Sequence, residues 1–143
     1  LKRMAQHDGL TGCLNRNHFM YSLSAECARA RRYQQPFSVL LFDLDHFKQI
    51  NDHYGHHAGD LVLKEFVKEV SGNLRENDLL GRLGGEEFGV RLAQTKRAEA
   101  LLLAERLRLA TEMLEVLVDE TTIRFTVSID IFCRRIKKFR IFV

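Results

Sequence analysis

The apolar run from Phe37 to Phe42 constrains the fold more than any other feature of the sequence, because almost every residue in it is hydrophobic. It follows Pro36 and is far shorter than the ~20 residues needed to cross a bilayer, so it predicts a strand covered on both faces. Such a strand requires a layer of structure above it and another below it. Asp43 comes next, at the strand end where open α/β sheets commonly place ligand-binding groups.

Hydrophobic periodicity predicts helices on both sides of this strand. Helices are expected over residues 15–33 and 46–53, the second ending near Gly55, and a longer helix is expected from Asp60 onwards. A further amphipathic helix is indicated by a stripe of five apolar residues, Leu103, Leu107, Ala110, Leu114 and Leu117.

Alternating residues on either side of Gly84-Gly85 predict a hairpin of strands 79–83 and 88–92. A last strand is expected at Ile123–Ile129. The order helix, strand, helices, hairpin, helix, strand predicts an α/β (α+β) sandwich, in which a central, mostly antiparallel sheet is flanked by helices.

The net charge of +3 is concentrated at one end of the chain. The chain has 22 basic and 19 acidic residues, and residues 130–143 hold five of the basic ones and one of the acidic ones, which leaves 17 and 18 elsewhere. The basic character therefore belongs to the tail and not to a binding face, and no nucleic-acid partner is predicted.

Cysteine usage indicates a reducing compartment. Cys13, Cys27 and Cys133 are odd in number and lack Cys-x-x-Cys spacing, so neither a disulfide framework nor a thiolate zinc site is expected. The first residues do not resemble a signal peptide. A cytoplasmic location is therefore predicted.

Two acidic clusters are candidates for metal chemistry. Asp43-Leu44-Asp45 stands at a strand end, and Glu86-Glu87 follows the diglycine of the hairpin. Magnesium prefers oxygen ligands and usually needs one or two carboxylates plus phosphate oxygens, and glycines let a phosphate approach the backbone. Because such carboxylates are also common on solvated surfaces, spacing alone leaves both interpretations open.

Four motifs, in order, resemble one family. Gly84-Gly85-Glu86-Glu87-Phe88 is similar to the signature of the GGDEF family in its GGEEF variant. The segment His7–Arg16 (HDGLTGCLNR) resembles the family's HDxLTGLxNR motif. Asp43–Asp52 with the following Tyr54-Gly55-His56 and Gly59-Asp60 resembles its DxDxFKxxND, GH and GD block, and Thr126–Ile129 resembles its TVSI strand. A domain over residues 1–129 is therefore identified as a GGDEF-like diguanylate cyclase domain, with a nucleotidyl cyclase, palm-like fold.

The resemblance implies a metal-dependent nucleotidyltransferase. Two GTP molecules would condense to cyclic di-GMP with release of pyrophosphate, using Mg²⁺ or Mn²⁺, at the interface of a homodimer in which each domain supplies half of the site. Asp43, the carbonyl of Leu44, and Glu86 would hold the metal. Glu86 or Glu87 would help to deprotonate the attacking 3′-hydroxyl, and Lys48 would offset charge on the phosphates.

The same resemblance assigns the nucleotide and product contacts. Asn51 and Asp60 would bind the guanine edge with His56 nearby, and Phe47, Gly84 and Gly85 would complete the substrate site. Arg75 and Asp78 form an RxxD motif before the signature, which with Arg106 would bind cyclic di-GMP as an inhibitor. Without the family context, Asn51-Asp52 also fits a turn, Lys48 a solvated face and Arg75 a helix C-terminus.

The sequence departs from the family pattern after Ile129. Asp130 stands where the family usually has Gly, and residues 130–143 form an atypical basic and apolar tail that lacks the family's closing phosphate-binding helix. We expect a truncated or frame-shifted end, with substitute positive charge from Arg134 to Arg140 as the alternative. The competing function is accordingly a catalytically impaired domain that binds GTP or cyclic di-GMP for signalling. The resemblance also implies an N-terminal sensory domain in the full-length protein, and a chain that is cytoplasmic or the cytoplasmic part of a membrane-anchored bacterial protein.

Overall fold

The computed structural model describes residues 5–134. Its elements in chain order are α1 (Arg16–Tyr33), β1 (Phe37–Leu44), α2 (Phe47–Tyr54), α3 (His56–Ser71), β2 (Leu79–Arg82), β3 (Glu87–Ala93), α4 (Arg97–Met113), β4 (Val116–Val118), β5 (Thr121–Ile123) and β6 (Val127–Arg134). The main sheet has the strand order β2-β3-β1-β6, with every neighbouring pair antiparallel, while β4 and β5 form a separate two-stranded sheet. The predicted α+β sandwich with a mostly antiparallel sheet flanked by helices is confirmed.

The central strand β1 is covered on both faces, as its apolar run predicts. Leu40, Phe42 and Leu44 point into the larger core, which α3 and α4 cover. Phe37 and Val39 point to the opposite face, where they pack with the apolar stripe of α1. Alternation along one strand therefore builds two hydrophobic layers, and the strand ends at Asp43 and Leu44 between them.

The helix α1 begins and ends where local chemistry favours it. The Asn15 side-chain oxygen accepts a hydrogen bond from the backbone N–H of His18 at 2.9 Å, which caps the first turn. Gln34 ends the helix in the left-handed conformation at φ 51°. The predicted span of this helix is thus confirmed.

Two predicted helix boundaries are wrong. The long helix α3 starts at His56 and not at Asp60, because Gly55, with φ 92°, both ends α2 and starts α3. The helix α4 stops at Met113, since Leu114 takes an extended backbone conformation; Leu114 and Leu117 therefore lie outside the helix, and Leu117 is exposed on β4.

The single strand expected at Ile123–Ile129 is two strands, β5 and β6. The chain breaks between them because the carbonyl of Thr126 accepts a hydrogen bond from the Asp45 amide at 3.0 Å and Phe125 turns into the core. β6 then continues past Ile129 to Arg134, so residues 130–134 of the expected tail pair with β1. The rest of that tail lies outside the described residues.

Within residues 5–134, no helix is both long and apolar enough to cross a membrane.

Candidate functional site

The acidic residues of the two clusters meet where β1 and β3 pair. Asp43 lies directly opposite Glu87 in the antiparallel register. The Leu44 amide donates to the Glu86 carbonyl at 3.2 Å, which joins the strand end to the signature turn. Asp43 and Glu87 are exposed and Glu86 is half-buried. Cross-strand partners have Cβ atoms about 4.5–5.5 Å apart, so tertiary pairing places side by side two carboxylates that are far apart in sequence.

These carboxylates have no cationic partner among residues 5–134. No Lys, Arg or His nitrogen in that range lies in a salt bridge with Asp43, Glu86 or Glu87. The same residues contain no group of three or more His, Cys, Asp or Glu side chains arranged around a metal, and this includes the histidine-rich stretch 53–57. The donor set predicted from the motifs has two carboxylates and one carbonyl, which leaves the remaining positions of a cation to water and phosphate oxygens.

The diglycine turn is shaped by close contact with Glu87. The Leu83 and Gly84 amides both donate to the Glu87 carbonyl, at 2.7 and 3.2 Å. A Cβ on Gly84 would lie 2.7 Å from the Glu87 Oε1 atom, whereas a Cβ on Gly85 would meet nothing within 4 Å. Gly84 therefore makes room for the glutamate, and Gly85 leaves open space at the turn.

Arg82, to which the sequence motifs assign no role, stabilises this turn. The Arg82 guanidinium donates to the carbonyls of Gly84 and Gly85, at 3.1 and 2.8 Å, and pairs with Asp8 at 3.2 Å. Asp8 belongs to the HDGLTG segment and also accepts from the amide and hydroxyl of Thr11, at 2.9 and 2.8 Å. The N-terminal motif therefore has a structural connection to the signature turn. In the sequence, this connection is indicated only by an arginine two residues before the diglycine.

Replacing Asp8 with asparagine is expected to lower the free energy of unfolding by about 1–3 kcal/mol at pH 7. The Arg82 guanidinium and the amide and hydroxyl of Thr11 would then lose their ionised acceptor. Burial works against ionisation of Asp8, but the hydrogen bonds from Thr11 and the Arg82 charge outweigh it and hold its pKa below the ordinary value of 3.8. A depressed native pKa stabilises the fold above the pKa of the unfolded chain, and this advantage disappears as the pH falls through the native value. Urea unfolding from pH 7 down to pH 3 measures the effect.

The difference between the parent and Asp8→Asn should therefore be full at pH 7 and shrink below about pH 4. Glu105→Gln, which removes one partner of the exposed Arg108 pair, is the matched control and should leave the free energy of unfolding nearly unchanged, because solvent screens exposed ion pairs. A difference that stays constant across this pH range would contradict the role of the Asp8 charge.

The predicted guanine-binding residues lie on α2 and α3. Asn51, near the end of α2, packs on Gly59 of α3 so closely that a Cβ there would lie 1.9 Å from Asn51 Oδ1 and 3.2 Å from the Phe47 ring. Asp60 follows Gly59 and is exposed. The structure therefore brings Asn51, Phe47 and the Gly59-Asp60 pair together. Gly59 has no role in the sequence interpretation, although the motif contains it.

The remaining predicted residues of this region are exposed. His56 starts α3, and Lys48 lies in the first turn of α2. In the described part of the chain, neither residue is held in a salt bridge, so both side chains are available to a ligand.

Asp45 has a structural role that separates it from Asp43. Its two carboxylate oxygens accept hydrogen bonds from the hydroxyls of Ser128 and Thr126, at 2.6 and 2.7 Å. Burial disfavours the charged form, but these two hydrogen bonds prevail and lower the pKa of Asp45. Asp45 thus ties the end of β1 to the start of β6.

The RxxD turn forms a second polar site, away from the signature. The Asp78 carboxylate is only 2% exposed and accepts from the Arg75 amide and guanidinium, at 2.9 and 3.3 Å. The Arg75 side chain is 61% exposed. Arg91 donates to the Asn77 carbonyl at 3.0 Å, and Arg106 reaches the Asn73 carbonyl at 3.4 Å. The turn is thus built around Asp78, with Arg75 facing solvent.

Two clefts lie near these residues without enclosing the strand end. One of about 670 Å³ is bounded by α2, the end of α4 and residues 124–126, and contains none of the predicted site residues. The other, of about 400 Å³, is lined by Arg75 and Asp78 together with Cys13 and its neighbours. Neither cleft is lined by Asp43, Glu86 or Glu87, and the side chains of Asp43 and Glu87 are exposed.

The fold and the sequence motifs of this chain match a known class of domain. The sequence model described as "Diguanylate cyclase, GGDEF domain" matches residues 5–139, so the match runs past Ile129. The chain belongs to the GGDEF family of diguanylate cyclase domains.

Individual relatives support this membership. The chain is 43% identical over 113 residues to the probable diguanylate cyclase DgcT of Escherichia coli, covering 79% of this chain and 25% of the relative. It is 39% identical over 132 residues to the diguanylate cyclase TpbB of Pseudomonas aeruginosa, covering 92% and 30%. The chain thus spans less than a third of the length of these relatives.

Solved structures agree. The diguanylate cyclase SiaD of Pseudomonas aeruginosa, in complex with its activator SiaC, superposes with a TM-score of 0.89 at 38% identity, covering 94% of this chain and 52% of that one. The GGDEF domain of DgcB from Caulobacter crescentus, in complex with cyclic di-GMP, gives 0.88 at 27% identity, covering 96% and 82%.

Proposed function

We propose that this chain condenses two GTP molecules into cyclic di-GMP and releases two molecules of pyrophosphate. The observation that carries the proposal is the register that sets Asp43 opposite Glu87 and beside Glu86, with no cationic partner for any of the three in the described residues. Unpaired carboxylates at close range repel one another, and a bound cation offsets that repulsion. The named relatives are diguanylate cyclases, which makes GTP the expected substrate.

The donor chemistry fits Mg²⁺ or Mn²⁺. Asp43, the Leu44 carbonyl and Glu86 would hold the ion, since hard divalent cations prefer carboxylate and carbonyl oxygens. When bound, the ion would neutralise charge on the phosphate oxygens. Gly84 and Gly85 would let the phosphates approach the backbone, and the exposed Lys48 would add positive charge there.

The α2–α3 pair would bind the base. An amide at Asn51 and a carboxylate at Asp60 can pair with the acceptors and donors of a guanine edge, with Phe47 beneath and His56 nearby. This assignment rests on the close approach of the Asn51 side chain to Gly59, the residue before Asp60.

The reaction needs two copies of the domain. The 3′-oxygen of one GTP forms a bond to the α-phosphorus of the other as the bond to pyrophosphate breaks, and the hydroxyl proton passes to Glu86 or its neighbour Glu87. Ring closure repeats the step in the opposite direction, which a two-fold symmetric homodimer permits. The exposed side chains of Asp43 and Glu87 are consistent with half of such a site. Positioning the two nucleotides would supply most of the rate.

The direct test is product analysis. The purified chain is incubated with GTP and Mg²⁺ or Mn²⁺, and the nucleotides are separated by chromatography while pyrophosphate is assayed. Formation of cyclic di-GMP with two pyrophosphates per product supports the enzyme. Absence of product together with tight cyclic di-GMP binding would support the alternative, a catalytically impaired binding module.

We also propose that the RxxD turn binds cyclic di-GMP as a product inhibitor, with Arg75 and Arg106 contacting the ligand. The support is the exposed guanidinium of Arg75 held on a buried Asp78, since arginine can bind a phosphate or the O6/N7 edge of guanine with two N–H groups. In this arrangement Asp78 positions Arg75. A contact between Asp78 and guanine would require the carboxylate to become more exposed.

Replacing Arg75 with alanine is expected to weaken cyclic di-GMP binding by about 10- to 100-fold, the value of a charge-assisted hydrogen bond. Isothermal titration calorimetry measures it. Arg124→Ala is the matched control, because Arg124 is equally exposed at 62% and pairs with Glu115 elsewhere on the surface. Equal losses in both variants would indicate nonspecific electrostatic binding.

We also propose two wider features of the protein, which its family membership suggests. A sensory domain N-terminal to the chain would control pairing of two domains, and the Asp8–Arg82 contact offers a route from that end to the signature turn. Location in the cytoplasm, alone or as part of a membrane-anchored protein, would give access to GTP.

A further inference from the structure

We infer that Thr95 is a positioning residue for Arg75 and sets the affinity of the RxxD turn for cyclic di-GMP; this inference rests on the proposed product site. The Arg75 Nη2 atom donates to Thr95 Oγ1 at 2.7 Å. That contact is shorter than the contacts of the guanidinium with Asp78, at 3.3 and 3.4 Å. The side chain of Arg75 is therefore held from two sides, by the RxxD turn itself and by the loop between β3 and α4.

Thr95 is a fixed anchor because it is itself held inside the fold. It is only 3% exposed, and its hydroxyl donates to the Ala93 carbonyl at 2.8 Å. A hydroxyl has one proton, so with that proton committed to Ala93 the oxygen can only accept from Arg75. The Thr95 hydroxyl is thus held in place by its own burial and by the Ala93 carbonyl.

This arrangement leaves one side of the guanidinium ready for a ligand. Nε and Nη2 carry the contacts to Asp78, Ala93 and Thr95, whereas Nη1 has no hydrogen-bond partner among residues 5–134. The side chain is nevertheless mostly exposed. A free arginine side chain loses up to about 2 kcal/mol of rotamer entropy on being fixed, so holding it beforehand reduces the entropic cost of binding.

Replacing Thr95 with valine keeps the shape and removes the acceptor. We expect the Kd for cyclic di-GMP to rise on the order of tenfold, the value of one hydrogen bond to a charged group. Thr95→Ser keeps the hydroxyl and should restore binding to within about twofold of the parent. Thr95→Ala removes the hydroxyl without the extra methyl group and repeats the test should valine prevent folding.

Ser38→Ala is the matched control for stability. It removes an equally buried hydroxyl that bonds the same loop but does not contact Arg75. Calorimetric titration with cyclic di-GMP and thermal unfolding without ligand are measured for the parent, Thr95→Val, Thr95→Ser and Ser38→Ala. We expect lower Tm values in Thr95→Val and Ser38→Ala, but weaker binding in Thr95→Val alone. Equal weakening in both would show that loop stability controls affinity, and would overturn the inference.

A ligand-free readout separates this inference from the proposed product site. The Nη2–H resonances of Arg75 in a ¹⁵N-labelled sample should be slow to exchange in the parent and Thr95→Ser and faster in Thr95→Val, because Nη2 is the atom that donates to Thr95 Oγ1. If the variants show this exchange pattern but the parent binds no cyclic di-GMP, the proposed product site is wrong. The contact between Thr95 and Arg75 is then purely structural, and the proposed role of Thr95 in affinity is wrong as well. If the parent binds and Thr95→Val binds equally well, the role of Thr95 alone is refuted.

Discussion

Replacing Glu86 with glutamine is expected to lower the rate of cyclic di-GMP formation by about 10²- to 10⁴-fold, the usual contribution of a general acid–base group. The substitution keeps the size of the side chain and the backbone hydrogen bond from Leu44 to the Glu86 carbonyl, so the turn should retain its shape. It removes the charge that would hold the cation and accept the proton of the 3′-hydroxyl. Initial rates of product formation from GTP, measured by chromatography, determine the effect.

Two further variants make this result specific. Glu120→Gln makes the same chemical change at an exposed position in the β4–β5 turn and should leave the rate within about twofold of the parent, since surface substitutions are close to neutral. Glu87→Gln tests the neighbour that lies opposite Asp43. Full activity in Glu86→Gln with loss in Glu87→Gln would transfer the proton-accepting role to Glu87. Full activity in both would falsify the proposed site.

Replacing Gly59 with alanine should raise the KM for GTP by about 10- to 100-fold, because it would displace a hydrogen-bonding group from the proposed guanine site. The new Cβ would lie 1.9 Å from Asn51 Oδ1. Because the position of a Cβ is set by the backbone, the Asn51 amide has to move. Asp43, Glu86 and Lys48 are unchanged, and kcat at saturating GTP should therefore fall much less than kcat/KM.

Gly72→Ala is the matched control at the other end of the same helix. A Cβ on Gly72 would meet only backbone oxygens at 3.5 and 3.6 Å, and the residue already has helical dihedral angles, so the substitution should be neutral or slightly stabilising. Comparison of GTP with inosine triphosphate, which lacks the 2-amino group of guanine, sharpens the assay. Selectivity should fall in Gly59→Ala only; unchanged selectivity and KM in that variant would remove Asn51 from the base site.

Local sequence patterns were enough to predict most of the framework. The apolar run before Asp43 predicts a strand covered on both faces, the diglycine predicts the hairpin, and hydrophobic periodicity predicts α1. These features depend on neighbours within a few residues, where side-chain periodicity and capping determine the backbone. The wrong boundaries, at Asp60, at Leu117 and within 123–129, lie where a glycine or a tertiary contact redirects the chain.

The motif series also identified the family and a set of candidate residues, since the order and spacing of several motifs are far more specific than any one of them. Their chemical types are sufficient to suggest a metal and a guanine nucleotide. They do not determine how far apart those residues lie in space, because spacing along the chain does not give distances in the folded protein.

Only the tertiary structure decided how those residues are held. Asp8 contacts Arg82 across 74 positions, Asp45 contacts Ser128 across 83, and Arg75 reaches Thr95 across 20. Each contact depends on strand register and loop packing, which sum many weak interactions over the whole domain and leave no periodic trace in the sequence. The sequence by itself determined the strand that ends at Asp43 and the chemistry available there. The pairing of β1 with β3 decided that Asp43 stands opposite Glu87.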